Sequence, residues 1–468
     1  MLYAAEKNVP SHLGEIIWDS LIQTSAIRTT IDTELSNKLA APPCLEEFEK
    51  AIKFSPSISA PGPSGLSYQH MKLWTDVTVR WVHRRLCDIW SSHSVPEFWK
   101  NRILHPLTKD PSKSGLDNLR PIMLLESLRK LWSGMAIRII AKSLESHRVL
   151  ATSQYGFRNK RSTAQAILQV INALEEAHEE GSPAFVTSWD IAKAFDSVPK
   201  SSMLEALLRV GVPSSMSQWL CSLDKQDCTM VNTPWASQSK STLPTHNKFA
   251  DPNISTLTAA KGTGQGDVTS PLIWILFFDI LLRALATETR SHFWIRSRGD
   301  HLHPVQDTAY ADDLLSITPT LDSLQQKADI VSAFTVLFHL KIATSKLRTL
   351  LLNLGSEYPG DGSDNIIIHG PRWTPSSISL SVGGEFTYLG ALVGDQEQSK
   401  EAFQRTAKKL SSMTTLLSIK RAPPGLVSAA LYMVLVPKIR YPSLLLGPSH
   451  RSANWTNLWI VYTSEYLD

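Results

Sequence analysis

The sequence predicts an α+β fold, and three observations are the basis for that prediction. Ser162 and Gln165 form a capping box ahead of apolar residues that recur at helical spacing, which predicts a helix. Residues 184–190 (AFVTSWD) instead alternate between two faces, as a strand does. The apolar segment that begins at Pro271 is too continuous for a surface helix and predicts a buried one. Helices and strands in separate groups are typical of an α+β domain.

The first 180 residues are predicted to be mainly helical. Residues 1–45 show weak helical periodicity and end at Pro42–Pro43, and three prolines and two glycines in 55–65 predict a loop. The segment 74–99 is rich in aromatic and basic residues and predicts another helix, and 119–142 predicts an extended entry followed by a helix. Four tryptophans are predicted to pack on one helical face rather than to stack on bases, namely Trp74, Trp81, Trp90 and Trp99.

From residue 184 onward, strands are predicted among the helices. The strand at 184–190 precedes a helix at 199–209, which has proline in its first turn. A long polar loop is predicted for 229–261, and the apolar helix is predicted to run from Pro271 to about Ala286. Two short strands around an Asp–Asp pair are predicted for 308–318.

The pattern beyond residue 350 is less regular. Residues 357–377 are rich in Gly, Pro and Asp and predict a surface insertion. Residues 379–389 predict a hairpin that turns at Gly383–Gly384.

The composition excludes several classes of protein. The chain has 468 residues, 43% hydrophobic and 19% charged, a balance that excludes a largely disordered chain. Its four cysteines contain no C-x-x-C pair, which argues against a disulfide framework and a thiolate zinc site and favours a reducing compartment. The longest apolar runs, 268–278 and 425–437, are shorter than the roughly 20 residues of a membrane helix, and no secretory signal is visible. We therefore expect neither a secreted nor a membrane-spanning protein.

The net charge of +4 hides an uneven distribution. Residues 100–161 contain 13 Lys and Arg against 4 Asp and Glu, a local charge of +9, so the remaining residues sum to −5. A basic region joined to an acidic remainder indicates a partner that carries many phosphates. A solvated basic face without a partner explains the composition equally well.

Three acidic residues in apolar surroundings are candidates for metal binding. Asp190 ends the predicted strand, and Asp312 and Asp313 occupy the tip of the predicted hairpin. Carboxylates at such positions are costly to desolvate unless a cation compensates, and hard oxygen ligands suit Mg²⁺. A strand end that meets the hairpin could hold two ions about 3.5–4 Å apart, as in-line phosphoryl transfer requires. An Asp–Asp turn alone is a weak signal, because aspartate is common in turns.

A series of motifs in a fixed order is more specific than any single residue. The chain resembles a reverse transcriptase of the non-LTR retrotransposon kind from about residue 60 to beyond residue 390. The motifs that carry this resemblance are APGPSG at 60–65, LRPI at 119–122, QYGFRNKRST at 154–163, WDIAKAFDSV at 189–198, GTGQGDVTSP at 262–271, YADD at 310–313 and YLG at 388–390. YADD is the strongest single signal, and the order of the whole set supports it.

The resemblance implies the catalytic groups. Asp190, Asp312 and Asp313 would be the catalytic aspartates, with Asp190 and Asp312 binding both metal ions and Asp313 in a less direct role. Lys346 corresponds to the lysine that protonates the leaving pyrophosphate, for which hydrogen-bond reach and a suitable pKa are needed. Two Mg²⁺ ions would be the cofactors, with Mn²⁺ as a substitute. Asp196, the second acid of its motif, is interpreted as structural.

The resemblance also implies a nucleotide-binding set. Arg120 matches an arginine that clamps the nucleotide phosphates, a task suited to a planar guanidinium, and Lys109 is a weaker candidate for the same task. Phe195 matches a ring beneath the incoming sugar, where it leaves no room for a 2′-hydroxyl; a core phenylalanine is the alternative. Gln265 and Gly266 would lie beside the template–nucleotide pair, where glycine permits close backbone approach.

By the same resemblance the fold would be a right-hand polymerase with a ferredoxin-like palm, basic fingers and a short helical thumb. The predicted parts are an N-terminal helical extension (1–45), fingers (46–180), a palm (181–390) and a partial thumb (391–468). The basic region 100–161 falls in the fingers, where it would hold the RNA template and DNA primer by their phosphates. The substrates would be dNTPs, and no membrane is expected as a partner.

The sequence departs from the family pattern around Lys346 and in its extent. Ala343 and Leu347 stand where Asn and Thr are usual, and Lys261 stands where Arg is typical. No endonuclease domain is visible before residue 60 and no Cys/His knuckle after residue 390. These absences predict a fragment, or a decayed or domesticated copy, and make a separate endonuclease-bearing polypeptide a candidate partner. The way such elements integrate predicts a nuclear location.

Two alternatives to this function stay open. One is a catalytically inactive palm that serves as an RNA-binding module, against which the intact acids argue. The other is an RNA-dependent RNA polymerase, whose hairpin more often reads Gly-Asp-Asp; Ala311 and Phe195 disfavour it.

Overall fold

The computed structural model describes residues 9–22, 25–224, 228–231, 256–257, 261–296, 302–353, 365–380, 386–393 and 408. Within these residues helices and antiparallel strands coexist, which confirms the predicted α+β class. Most of the polar loop predicted at 229–261 and nearly all of the thumb predicted at 391–468 lie outside the described residues. The predicted domain boundaries stay predictions.

The helices of the described chain follow the predicted order closely in its first half. They are α1 (Ser11–Ile22), α2 (Ser25–Ala40), α3 (Leu45–Lys53), α4 (Tyr68–Lys72), α5 (Asp76–Ser92), α6 (Glu97–Lys100), α7 (Ser127–Ser146), α8 (Thr163–Glu179), α9 (Ala194–Ser197), α10 (Lys200–Arg209), α11 (Ser214–Ser222), α12 (Ser270–Thr287) and α13 (Leu321–Leu337). Ser162 caps α8 by accepting a hydrogen bond from the Gln165 N–H, as the capping box predicted.

The strands are short and fall mainly in the second half of the chain. They are β1 (Asn101–Thr108), β2 (Leu119–Leu125), β3 (Ala184–Trp189), β4 (Cys228–Val231), β5 (Thr256–Leu257), β6 (Phe293–Arg296), β7 (Leu302–Val305), β8 (Thr308–Tyr310), β9 (Asp313–Thr318), β10 (Arg348–Leu352), β11 (Asn365–His369), β12 (Pro375–Ser379), β13 (Phe386–Tyr388) and β14 (Ala391–Val393). β1 pairs antiparallel with β2 and parallel with β4.

A four-stranded antiparallel sheet lies at the centre, in the order β10-β3-β9-β8. Trp189 of β3 pairs with Leu314 of β9, and Tyr310 of β8 pairs with Asp313. Since β3 ends where β9 begins, the residue that follows β3 and the β8–β9 turn lie at the same end of the sheet. The sheet therefore brings together chain segments that are far apart in sequence.

Both faces of this central sheet are buried, against different helices. Phe185 and Trp189 belong to the large hydrophobic core that includes α12 and α13. Val186 and Leu315, on the opposite face, pack in a second core with residues of α8. Burial on both faces is the reason that β3 carries apolar residues at odd and even positions.

Helix α12 has the length and composition of a membrane-crossing segment, yet it is a core helix of the described fold. Its 18 residues have a mean hydropathy of 1.6, and 78% of it is buried within the protein. Trp274, Phe277 and Phe278 are among its fully buried side chains. The predicted burial of this helix is confirmed.

Three expectations need correction. Trp81 is 59% exposed, so the four tryptophans of 74–99 do not share one packed face, although Trp90 and Trp99 are fully buried. The predicted insertion 357–377 contains strand β11 and part of β12, which form a hairpin. The hairpin predicted at 379–389 is not formed as such, because β12 pairs back with β11 and β13 pairs forward with β14.

Candidate active site

Three acidic side chains gather at one end of the central sheet. Asp190 follows the last residue of β3, and Asp312 lies in the turn between β8 and β9, with Asp313 as the first residue of β9. Asp190, Asp313 and Lys346 share the wall of one pocket of about 390 Å³. Lys346 Nζ lies 2.8 Å from Asp190 Oδ2. The structure therefore brings the four predicted catalytic residues into one neighbourhood.

Burial and neighbouring charges raise the pKa of two of these acids, Asp312 and Asp313. Burial of the Asp313 carboxyl group, then the charges of Asp312 and Asp190, raise its pKa to about 6, although the residue as a whole remains solvent-accessible. Burial also raises the pKa of Asp312, and Asp190 adds to the effect. Lys346 opposes both shifts. Carboxylates held at short range repel one another, and a bound cation relieves that repulsion.

Backbone pairing, rather than side-chain chemistry, brings Lys346 to Asp190. The Ala343 N–H donates to the Asp190 carbonyl oxygen over 2.8 Å, and the Ala192 N–H donates to the Lys341 carbonyl oxygen over 2.8 Å. Ile191 and Ile342 form an antiparallel bridge between these two bonds. Because Ala343 takes part through its N–H, the alanine at this position does not disturb the approach of Lys346.

The donor chemistry of the site fits a divalent cation. Carboxylate oxygens are the ligands that Mg²⁺ and Mn²⁺ prefer, and three carboxyl groups gather here, two of which have a raised pKa. Among the described residues, however, no three His, Cys, Asp or Glu side chains are arranged so that they could hold a metal ion. Lys346 occupies one oxygen of Asp190 in this arrangement and supplies a positive charge there.

Phe195 is packed between two aromatic rings. Its ring centroid lies 5.1 Å from that of Trp274 on α12 and 6.2 Å from that of Phe157, which stands nearly perpendicular to it. Phe195 is only partly buried. The core therefore supports one side of the ring, while another part of its surface stays accessible. Phe195 can be a core phenylalanine and still contact a sugar.

The segment that contains Gln265 and Gly266 lies along β2. The Met123 N–H donates to the Gln265 carbonyl oxygen over 2.7 Å. Gly266 has φ +109°, and a Cβ at this position would come within 2.8 Å of the Met123 carbonyl oxygen. Glycine is thus required here by backbone approach as well as by conformation.

Asp196 joins several of the predicted nucleotide-binding residues. Its Oδ2 accepts a hydrogen bond from Gln265 Nε2 over 3.3 Å. Burial raises the pKa of Asp196, and the positive charges of Lys193 and Lys109, together with the Gln265 hydrogen bond, act in the opposite direction. The sequence predicted a structural role for Asp196 but did not predict which residue it contacts. Its place as the second acid of the motif was the only indication of that role.

Arg120 and Lys109 lie on the β1–β2 side of the molecule and not beside the acids. Arg120 is exposed on β2, opposite Leu107, and within the described part of the chain its side chain makes no hydrogen bond or ion pair. Lys109 is also exposed and acts electrostatically on Asp196. Lys109 therefore acts on Asp196 through its charge, whereas no interaction within the described residues links the Arg120 side chain to the predicted set.

A buried ionic group that the sequence did not reveal fixes the same segment. Arg129 on α7 is fully buried and bonds to Asp224 over 2.7 Å and to Asp267 over 2.6 Å. Asp267 follows Gly266 directly, so the guanidinium ties the Gln265–Gly266 segment to the β1–β2 side. An isolated arginine in a helical pattern gives no sign of such a role.

Comparisons with known proteins agree with this arrangement. The model of the family described as reverse transcriptase (RNA-dependent DNA polymerase) matches residues 109–393. A Pol polyprotein from the type-1 retrotransposable element R2 of Popillia japonica is 29% identical over 271 residues, 58% of this chain and 34% of that protein. An RNA-directed DNA polymerase from the mobile element jockey of Drosophila funebris is 24% identical over 383 residues, 80% of this chain and 37% of that protein. The chain thus spans about a third of the length of these curated relatives.

Proposed function

The chain belongs to the reverse transcriptase (RNA-dependent DNA polymerase) family, and on that premise we propose that it extends a DNA primer on an RNA template as part of a non-LTR retrotransposon. The reaction is attack of the primer 3′-hydroxyl on the α-phosphate of a dNTP, with release of pyrophosphate. The observation that carries the proposal is the gathering of Asp190, Asp312 and Asp313 beside Lys346 at one end of the central sheet.

The chain's own residues have separate tasks in this reaction. Asp190, Asp312 and Asp313 would hold two divalent cations once their carboxylates lie closer together than in the described arrangement, and Mg²⁺ or Mn²⁺ would be suitable. When bound, these ions lower the pKa of the primer hydroxyl and neutralise the phosphates. Lys346, whose ammonium already lies at the site, donates a proton to the leaving pyrophosphate.

A second set of residues would hold the nucleotide. Phe195 lies beneath the sugar and excludes a 2′-hydroxyl, since its ring cannot retreat past Trp274. Gln265 and Gly266 lie beside the template–nucleotide pair, where the backbone of this segment is fixed by Met123. Lys109 and Arg120 neutralise the triphosphate, and this requires the exposed Arg120 side chain to reach the nucleotide.

The architecture that follows is a right-hand polymerase. The central sheet with α12 and α13 would be the ferredoxin-like palm, and β1, β2, α7 and α8 would belong to the fingers. The basic region 100–161 would bind the phosphates of the RNA template and the DNA primer. The site of action would be the nucleus.

A primer-extension assay tests the function directly. We expect the purified chain with Mg²⁺ to extend a DNA primer on an RNA template with dNTPs, and Asp312→Asn to lower the rate at least about 100-fold, because a ligand oxygen with its charge is lost. Asp322→Asn, an exposed aspartate on α13, is the matched control and should leave the rate unchanged.

Two outcomes would contradict the proposal. If the parent chain and Asp312→Asn incorporate equally little while both bind an RNA–DNA hybrid, the chain is an inactive binding module. If NTPs are used in preference to dNTPs, the chain is an RNA-dependent RNA polymerase.

A further inference from the structure

The segment QYGFR at 154–158 belongs to the motif series, but the roles assigned so far do not use it. In the structure this segment lies along the outer edge of β8, the edge strand of the central sheet. The Ala309 N–H donates to the Ser153 carbonyl oxygen over 2.9 Å, and the Tyr155 N–H donates to the Ala309 carbonyl oxygen over 2.7 Å. Residues 153–155 thus extend the sheet next to the strand that leads to the catalytic turn.

The catalytic turn itself contains an unfavourable backbone conformation. Ala311, which precedes Asp312, has φ +60°, in the left-handed region where a side chain is disfavoured and glycine is usual. Ala311 is also buried, so its N–H and carbonyl group have no access to water. A residue held in such a conformation needs surroundings that fix it.

The side-chain amide of Gln154 provides those surroundings. Its Oε1 accepts a hydrogen bond from the Ala311 N–H over 2.9 Å, and its Nε2 donates to the Ala311 carbonyl oxygen over 3.2 Å. The same Oε1 accepts a second bond from the Gly156 N–H over 2.8 Å. Gln154 is 1% exposed, so one buried amide satisfies both polar backbone groups of the strained residue.

Two neighbours hold Gln154 in place. A Cβ on Gly156 would lie 2.3 Å from the Ala311 backbone nitrogen, so only glycine allows this close approach. Arg158 bonds to both carboxylate oxygens of Glu145 on α7, over 2.7 and 2.9 Å, and donates to the Gln154 carbonyl oxygen over 3.2 Å. The segment is therefore anchored to α7 on one side and to the catalytic turn on the other.

We propose that Gln154 is a positioning residue that locks the Ala311 turn and thereby aims the Asp312 carboxylate at the metal site. Its amide takes the place of a neighbouring peptide group, which lets alanine adopt a conformation that otherwise favours glycine. The proposal rests on the proposed polymerase function for its effect on rate, but not for its effect on the turn.

Hydrogen exchange tests the lock without any reference to activity. In Gln154→Met, which keeps the side-chain volume and removes both polar atoms, we expect amide exchange in residues 309–313 to become at least about 10-fold faster. Gly156→Ala should also make exchange in residues 309–313 faster, because the added Cβ would displace the Ala311 backbone. Gln218→Met, an exposed glutamine on α11, and Gly14→Ala, whose Cβ meets nothing within 4 Å, are the matched controls.

Metal binding and kinetics test whether the lock aims Asp312. We expect Gln154→Met to weaken binding of Mn²⁺, followed by electron paramagnetic resonance, and to lower kcat by about 10- to 100-fold while the KM for dNTP changes less than about 3-fold. A merely structural role would lower the melting temperature without this split between kcat and KM.

Two results would refute the proposed role of Gln154. Unchanged exchange at 309–313 in Gln154→Met would refute the lock, and faster exchange with unchanged Mn²⁺ affinity and kcat would refute its positioning role. If the parent chain shows no polymerase activity, the proposed function fails, but the exchange and Mn²⁺ measurements still decide the role of Gln154.

Discussion

Phe195 shows how one residue can be both a core and a site residue. Its ring is supported by Trp274 at 5.1 Å and flanked by Phe157 at 6.2 Å, and Trp274 is itself fully buried. A ring supported in this way cannot move aside when a larger sugar enters. Discrimination between sugars would therefore depend on the rigidity of the packing behind the ring as much as on the ring.

The prediction at this scale concerns sugar selection. Phe195→Ala should lower the ratio of kcat/KM for dNTP to kcat/KM for NTP by about 10- to 100-fold, because the space for a 2′-hydroxyl opens. Primer extension with each nucleotide measures the ratio. Phe98→Ala, which removes a ring 45% exposed on α6, is the control, and an unchanged ratio in Phe195→Ala would assign this phenylalanine to the core alone.

The β11–β12 hairpin shows why elements in a composition-biased segment escape prediction from sequence. Glycine, proline and aspartate dominate 357–377 and predict an insertion, whereas the five-residue strand β11 is too short to give a clear period. In the structure Ile366 and Ile368 are buried and Ile367 is 43% exposed. Gln325 on α13 donates to the Ile367 carbonyl oxygen over 2.8 Å and accepts from its N–H over 2.7 Å.

The prediction at the scale of elements is a contrast within one strand. Ile368→Ala should lower the free energy of unfolding by about 2 to 4 kcal/mol, because it leaves a cavity between β11 and α13. Ile367→Ala, one residue away on the exposed face, should change it by less than about 0.5 kcal/mol. Urea unfolding of both variants measures the contrast. Equal effects would mean that the hairpin does not pack on the core.

At the scale of the whole molecule, Asp279 joins three separate parts. This fully buried residue of α12 accepts hydrogen bonds from Arg209 on α10 over 2.7 Å and from the Ala151 N–H over 2.6 Å. Arg283, one turn along α12, bonds to the same carboxylate over 2.8 Å. Burial alone would raise the pKa of Asp279, but these cations and the N–H outweigh it and hold the pKa below its usual value.

The corresponding prediction links this carboxylate to stability and pH. Asp279→Asn should lower the free energy of unfolding by about 3 to 5 kcal/mol at pH 7, because Arg209 is left buried without a counter-charge. Since the folded-state pKa is lowered, the contribution is complete above the unfolded pKa of about 4 and decreases as the pH falls further. Urea unfolding at several pH values measures it, with exposed Asp19→Asn as control. A loss that grew towards acidic pH would contradict this sign.

The candidate site was predictable from the sequence where local patterns fix position, and not elsewhere. The alternation at 184–190 and the turn at 308–318 were enough to place Asp190 and Asp312 at strand ends. Contacts between a side chain and a group that is remote in sequence leave no periodic signal. The bond from the Ala311 N–H to Gln154 spans 157 residues, and the bond from Gln265 to Asp196 spans 69.

The position of β3 between β9 and β10 has a consequence for folding while the chain is being synthesised. Trp189 bonds to Ser316, 127 residues later, and Thr187 to Thr349, 162 residues later. At a synthesis rate of about 5 to 20 residues per second, β3 waits on the order of 10 to 30 s for its second neighbour. Both edges of β3 are unpaired until β9 is made, and one edge stays unpaired until β10 follows. Unpaired edges attract other unfinished chains. We therefore expect chaperones that shield nascent strands to raise the yield of folded protein.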